Sequence, residues 1–387
     1  MRKIILVLLG LFLCAGCSAI TARKSVIDRQ EKCYRRFPAE DDGSYKIIRL
    51  FYATNRQAQE KDGEWYFSSN VAGDLTEGMF SASILPGLKI GQAVPKRLKK
   101  RGDVGITNVE KSSHADFIKA LSAAVEDSPH KSLLVFVYGY HDNFEMTAIK
   151  AAYFAYLFDG NTPILLFDWP GDHFGALGVY KNAHETATVS GPYLGQLLAE
   201  IIREIQPKTL SLVSSSLGCQ VTCKAFEWMY GQKDLVDGGP KISHVVLAAP
   251  DVSRNEFNNK FKDEIAALAD KVTVYVSSND KALLVARIVD LEKKLGLQKV
   301  AAERNEQFEE ARDLLYLKSL APDKMTIIDV TPVDRVQSGH TYYIETPEFY
   351  DDLYLRLAGG PSFYNRRLYL MKARENVDYW VMYNAQD

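Results

Sequence analysis

The residues best suited to chemistry lie in the stretch Thr209-Leu-Ser-Leu-Val-Ser-Ser-Ser-Leu-Gly-Cys-Gln-Val-Thr-Cys-Lys-Ala-Phe226. A short apolar run gives way there to small residues and then at once to a helical pattern. A sharp strand-to-helix turn lifts one side chain into a cleft, which suits a nucleophile. The spacing Ser214-x-Ser216-x-Gly218 differs by one residue from the G-x-S-x-G pattern of such a turn. Serines at a helix start also serve as plain caps, because a hydroxyl accepts a hydrogen bond from an amide of the first turn. A serine hydroxyl is a weak nucleophile. Acyl transfer therefore needs a base to take its proton, an acid to orient that base, and donors for the developing oxyanion. Those partners must come from elsewhere in the chain.

The elements that would carry them follow from hydrophobic patterning. From His114 onward, short apolar runs alternate with helical segments. Helices are expected over Ala115–Val125, Phe144–Phe158, Asn182–Ile205, from the serine cluster to Tyr230, and over Phe257–Ala269. Strands are expected over Ser132–Val137, Pro163–Phe167, Thr209–Val213, Ile242–Leu247, Lys271–Val276 and Met325–Val330, the last of the core. This alternation predicts βαβ units and a mostly parallel sheet flanked by helices. In such sheets the ligand cleft lies outside the carboxyl ends of the strands. Polar clusters stand at those ends: Tyr138-Gly139-Tyr140, Asp168-Trp169-Pro170-Gly171, the serines, Ala249-Pro250-Asp251, Asn279-Asp280 and, past the last strand, Ser338-Gly339-His340. Upstream, strands at Tyr45–Tyr52 and Met79–Leu85 flank a turn-rich region, and basic Lys96–Arg101 reads as a solvated loop.

In chain order the strand ends supply Ser216, Asp280 and His340. The chain resembles the α/β-hydrolases, in which a serine, an acid and a histidine follow in that order. More narrowly, it is similar to a bacterial esterase/lipase-like branch through Phe51-Tyr-Ala-Thr-Asn-Arg56, Phe136-Val-Tyr-Gly-Tyr140, Phe167-Asp-Trp-Pro170, Ala249-Pro-Asp251, Asn279-Asp-Lys-Ala-Leu283 and Gly339-His340. The likeness covers residues 46 to 355. It implies a serine hydrolase that cleaves carboxylic esters through an acyl-enzyme on Ser216, with His340 as general base and Asp280 orienting it. The residue two after the nucleophile must be small, so Gly218 selects Ser216 over Ser214 and Ser215. The oxyanion donors would be the backbone amides of Leu217 and Tyr140. Two departures from the branch stand out: Ser215 occupies the place of a histidine, and Tyr138 that of the histidine in a His-Gly pair. Asp251 also ends a strand and remains a rival acid, with Asp168 and Asp172 near the cleft and His141 beside it. A different class of reading is an envelope lipoprotein that uses a hydrolase fold for binding or assembly, since fold does not imply function.

Composition narrows the partners. The 387 residues carry a net charge of −2, with no basic footprint for nucleic acid. Met1-Arg2-Lys3, the apolar run Ile4–Leu13 and the small residues Ala15-Gly16 form a secretory signal layout over residues 1–16. Leu13-Cys14-Ala15-Gly16-Cys17 resembles a bacterial lipobox, which implies lipidation of Cys17 and a lipid-anchored protein in the bacterial envelope. Ser18 after that cysteine resembles outer-membrane sorting. Residues 17–45 would then be a tether, 46–360 the hydrolase domain and 361–387 an aromatic extension that either packs on the domain or faces lipid. Ala282–Leu320 is too long for a plain connection and reads as amphipathic helices, either a cap or a packed surface. Cys219 and Cys223 sit one helical turn apart, about 5–6 Å between Cβ atoms, against the ~3.5–4.5 Å of a disulfide. Both are expected to be buried thiols. Neither metal nor organic cofactor is implied, and the expected substrate is a small acyl ester or a lipid.

Overall fold

The computed structural model describes residues 40–41, 45–90, 95–158, 161–172, 178–239, 241–280, 324–335, 340–357, 368–372 and 378–383. Its strands are β1 (Glu40–Asp41), β2 (Lys46–Lys61), β3 (Glu64–Ile84), β4 (Val104–Lys111), β5 (Ser132–Val137), β6 (Ile164–Asp168), β7 (Thr209–Ser215), β8 (Ile242–Ala248), β9 (Ala269–Val276), β10 (Met325–Asp329), β11 (Leu368–Lys372) and β12 (Asp378–Met382). The helices used below are α1 (Pro95–Arg101), α2 (His114–Asp127), α3 (Phe144–Phe158), α4 (Gly178–Glu200), α5 (Gly218–Tyr230), α6 (Lys262–Leu268) and α7 (Pro347–Leu357).

One sheet joins all the strands in the order β11-β12-β10-β9-β8-β7-β5-β6-β2-β3-β4, with β1 paired to β2. From β2 to β12 across the middle every neighbour is parallel. The outer pairs β2–β3, β3–β4 and β11–β12 are antiparallel. A parallel sheet must be covered on both faces, so its strands read as nearly unbroken apolar runs. Residues alternate between the faces: Leu133, Val135 and Val137 pack with Phe117 of α2, Leu194 of α4 and Phe226 of α5. Leu134 and Phe136 pack on the other face with Phe154 of α3 and Tyr350 and Leu353 of α7. Every strand end expected from His114 to Val330 therefore points the same way. Among the described residues no helix is long and apolar enough to cross a membrane.

Four expectations change. The region between the first two strands is not turn-rich but a continuous ribbon, β2 and β3 pairing as far as Lys61 with Glu64. Asp62 and Gly63, with φ of +55° and +82°, make its two-residue turn, the pairing that suits strand twist. Both faces of the ribbon tip are largely exposed, so no apolar alternation marked it. Lys96–Arg101 lies in helix α1, which starts on Pro95, a residue whose missing N–H costs nothing at a first turn, and is anchored by fully buried Leu98. Strand β4 was not expected; it is an edge strand with only Val104 buried. Finally, Met325–Asp329 is not the last strand. The aromatic stretch taken for an extension supplies β11 and β12, and β12 pairs in parallel with β10. Cys219 and Cys223 are free and buried, as expected. Residues 1–39, with the signal, Cys17 and most of the tether, and the whole of Ala282–Leu320 lie outside the described residues.

His244 on β8 is a buried histidine within the sheet, with Nε2 2.8 Å from the Thr273 hydroxyl. Burial first, then the charges of Arg356 and Lys271, lower its pKa to about 3 from the usual 6.5. Between those values the unfolded chain binds a proton that the folded chain refuses, so acid favours unfolding. Stability should be full above pH 6.5 and fall as the pH drops toward 3, by at most about 1.4 kcal/mol per pH unit from this group. Urea unfolding at a series of pH values checks this: His244→Gln should flatten the slope, and an unchanged slope would refute the assignment.

Candidate active site

The site is built on the turn between β7 and α5. Ser216 has φ of +53°, a conformation that costs a non-glycine residue about 1–3 kcal/mol and persists only where its surroundings enforce it. Three backbone bonds do so. The Ser216 amide donates to Ala248 O at 3.0 Å, and Ser216 O accepts from the amides of Cys219 at 3.0 Å and Asp251 at 3.1 Å. Space enforces it too. A Cβ on Gly218 would meet Tyr138 O at 2.5 Å and Val137 O at 2.7 Å, and one on Gly139 would meet Ser216 Cβ at 2.7 Å. These contacts are with backbone or with the serine itself, so no flexible group can yield. Gly218 is thus required by contact with the end of β5.

Three residues far apart in sequence meet at this turn. His340 Nε2 lies 2.8 Å from Ser216 Oγ, and His340 Nδ1 lies 2.8 Å from Asp280 Oδ2. Asp280 is 1% exposed, while the His340 side chain keeps 15% of its surface. A buried carboxylate against a partly open imidazole is an arrangement able to pass a proton from a hydroxyl toward solvent-accessible space. The ring of Tyr343 stands edge-on to His340 at 6.2 Å. Ser214 and Ser215 are buried beside Ser216, and neither is bonded to a histidine among the described residues.

The rival carboxylates are committed elsewhere. Tyr180 donates to Asp251, 2.8 Å from each carboxylate oxygen, and the Asp251 amide holds the turn at Ser216. Asp168 and Asp172 both pair with Arg56. The Asp280 loop has its own supports, which sequence reasoning missed. Ser277 Oγ donates to Asp334 at 2.6 Å, the Ser278 amide to Thr331 Oγ1 at 2.9 Å, and Asn279 Nδ2 to Thr331 O at 3.3 Å. The loop after β9 is thereby tied to the loop after β10.

Arg56 is the other residue missed as a site component. Its guanidinium is fully buried at the carboxyl end of the parallel pair β2–β6. Nε donates to Asp168 Oδ2 at 2.5 Å, and one terminal nitrogen pairs with Asp172. The other donates to Trp169 O at 2.7 Å and Asp142 O at 2.9 Å. Burial alone would lower the guanidinium pKa; Asp168 and Asp172 hold it above its ordinary value. The Asp142 contact clamps the loop after β5 that carries Tyr140. Two more bonds set that loop: the His141 amide, at φ of +82°, donates to Gly171 O at 2.9 Å, and Trp169 Nε1 donates to Tyr138 O at 2.8 Å. The Tyr138 ring is buried and stacks on Phe136 at 5.7 Å, so its side chain belongs to the core. Leu217 caps the start of α5, where unpaired amides and the helix dipole favour negative charge.

One group of metal-capable side chains occurs among the described residues. Ligand atoms of Glu77, His114 and Glu200 lie within 4.8 Å of one another, with His114 Nδ1 2.9 Å from Glu77 Oε2. They come from β3, α2 and α4, so no local spacing could announce them, and none belongs to the triad.

A family model described as an alpha/beta hydrolase of unknown function (DUF900) matches residues 113–357. No curated protein matches the chain. Among solved structures, a zinc-bound, cold-adapted esterase from an Arctic intertidal metagenomic library shares 11% identity, covering 82% of this chain and 97% of its own, with a TM-score of 0.37. Esterase B from Lactobacillus rhamnosis shares 9% identity over 89% of this chain and 94% of its own, with a TM-score of 0.36. Overlap this loose carries no argument about activity.

Replacing Arg56 by Leu would strand two buried carboxylates. Breaking a buried pair from one side costs about 3–5 kcal/mol, so Arg56→Leu should lose that much in chemical unfolding. Arg56→Lys should recover only part of it, since a point charge cannot serve four acceptors in a plane. A loss below about 1 kcal/mol, the level of an exposed pair, would show that the clamp is dispensable.

Proposed function

The chain belongs to the α/β hydrolases of unknown function, and on that footing we propose that it is a serine hydrolase acting on carboxylic esters. The observation that carries the reading is the hydrogen-bonded series Ser216–His340–Asp280 at a positive-φ turn. In this mechanism Ser216 Oγ attacks the ester carbonyl while His340 Nε2 takes its proton. Asp280 accepts from Nδ1, holds the required tautomer and stabilises the imidazolium. The tetrahedral oxyanion is met by the amides of Leu217, at the start of a helix, and Tyr140, on the loop that Arg56 clamps. Each such donor contributes about 3–4 kcal/mol in the transition state. His340 then returns the proton to the leaving alcohol, and a water deprotonated by the same nitrogen releases the acid from Ser216. A small acyl ester or a lipid satisfies this scheme.

A fluorophosphonate probe should label the parent protein, and Ser216→Ala should abolish the label. A folded parent that fails to label would leave the chain a non-catalytic envelope protein. Turnover of a short-chain nitrophenyl ester should fall about ten-thousandfold or more in Ser216→Ala and His340→Ala, and on the order of ten-thousandfold in Asp280→Asn. Activity retained in Asp280→Asn but lost in Asp251→Asn would move the acid to Asp251.

We also propose that Cys17 carries lipid and holds the protein at the bacterial outer membrane, facing the periplasm. The signal layout and the Leu13–Cys17 sequence support this; a lipid anchor needs no spanning helix. Cys17→Ser, expressed in a bacterial host, should move the protein from the membrane fraction to the soluble one. Continued membrane attachment of that variant would refute lipidation at Cys17.

A further inference from the structure

A cavity opens at the end of the sheet opposite the triad. It has a volume of about 710 Å³ and is lined at the amino ends of β5, β7, β8 and β9, within the roughly 300–1,000 Å³ typical of ligand pockets. Strand β7 runs the seven residues from Thr209 to Ser215 between cavity and triad, a separation of about 20 Å at ~3.3 Å per residue. The two sites are therefore distinct.

The strand register builds its floor. Leu134 pairs with Ser211, Ser211 with His244, and His244 with Lys271, so one row of four side chains crosses four parallel strands on one face. The next row along, Phe136, Val213, Val246 and Thr273, is apolar but for one hydroxyl, and α3 and α7 cover that face. Strands covered on both faces are expected to stay apolar, so three polar residues in one row mark a change of surroundings. Phe158, the last residue of α3, and Tyr354 and Leu357, in the last turn of α7, stand over the row as an apolar wall.

Charge at the rim is unbalanced. Lys131 pairs with Glu126, and Arg356 with Asp352. Lys208 and Lys271 are exposed lining residues with no ion-pair partner among the described residues. Among the described residues Asp270 is the one acid lining the cavity. The cationic surroundings register on His244, where Arg356 and Lys271 add to burial in keeping the imidazole neutral. Two free ammonium groups above hydroxyls and an apolar wall favour a ligand with one anionic end and one aliphatic end. Asp270 at the rim disfavours a dianion such as a phosphate monoester.

We propose that this cavity binds a fatty carboxylate, its head between Lys208 and Lys271 and its chain along Leu134, Phe158, Tyr354 and Leu357. The proposal does not depend on the hydrolytic reading of Ser216. Calorimetric titration of the full chain with dodecanoate, kept below its micelle concentration, tests it. Saturable binding is expected, unchanged in Ser216→Ala and weakened at least about tenfold in Lys208→Glu/Lys271→Glu. The milder Lys208→Gln/Lys271→Gln should show the same direction, and thermal melts establish that both variants fold. Dodecanol should bind about tenfold more weakly than dodecanoate, and inorganic phosphate should not displace it. Absent binding, or binding indifferent to both lysine variants, would overturn the proposal. So would loss of binding in Ser216→Ala, equal binding of dodecanol, or displacement by phosphate, which would point respectively to the hydrolytic cleft, a purely apolar site and a small-anion site.

Discussion

A guanidinium with no exposed surface holds the upper rim of this molecule together. From within β2, Arg56 reaches Asp168 at the end of β6, Trp169 and Asp172 just after it, and Asp142 after β5. Ions are expensive to bury, and this one is tolerated because nearly every donor finds a carboxylate or carbonyl. Burial raises the Asp168 carboxyl, against the pull of the Arg56 charge. What the pairing secures is shape. The loops at the carboxyl ends of β5 and β6 are held in one arrangement against β2, and the amide of Tyr140 sits on the first of them.

The strained serine depends on a second set of constraints. Its positive φ is held by bonds to β8 and to the segment after it, and by two glycines without which the end of β5 could not approach. The acid arrives from a loop that is itself tied to the residues after β10. The rival acid Asp251 contributes its amide to the turn and its carboxylate to Tyr180. A residue can thus be close to the chemistry and serve only its framework.

Much of this was legible in the sequence. Strands buried on both faces are largely apolar, so β5 to β10 stood out, and with them the strand ends on which Ser216, Asp280 and His340 lie. The ribbon of β2 and β3 did not, because its exposed tip has no apolar face to pattern. The strands β11 and β12 were hidden at the edge of the sheet, where Tyr369 and Leu370 are exposed. In the sequence Arg56 stands out only as the end of Phe51-Tyr-Ala-Thr-Asn-Arg56. Its two carboxylate partners lie 112 and 116 positions away, and no local periodicity encodes such a bond. The polar row of Ser211, His244 and Lys271 exists only once strand register is known.

The placement of β12 has a consequence for the order in which the molecule can be completed. This strand is drawn from residues 378–382 of 387, yet it lies beside β10 within the sheet and is not appended outside it. The turn after β10 supplies the supports of the Asp280 loop. A chain emerging from a ribosome would hold the serine turn long before it could cover the flank of β10. Pairing between such distant segments is slow, and uncovered strand edges invite association with other chains. A segment well downstream of β10 thus closes the edge next to the support of the proposed acid, so the surroundings of Asp280 are complete only once that segment has emerged and paired.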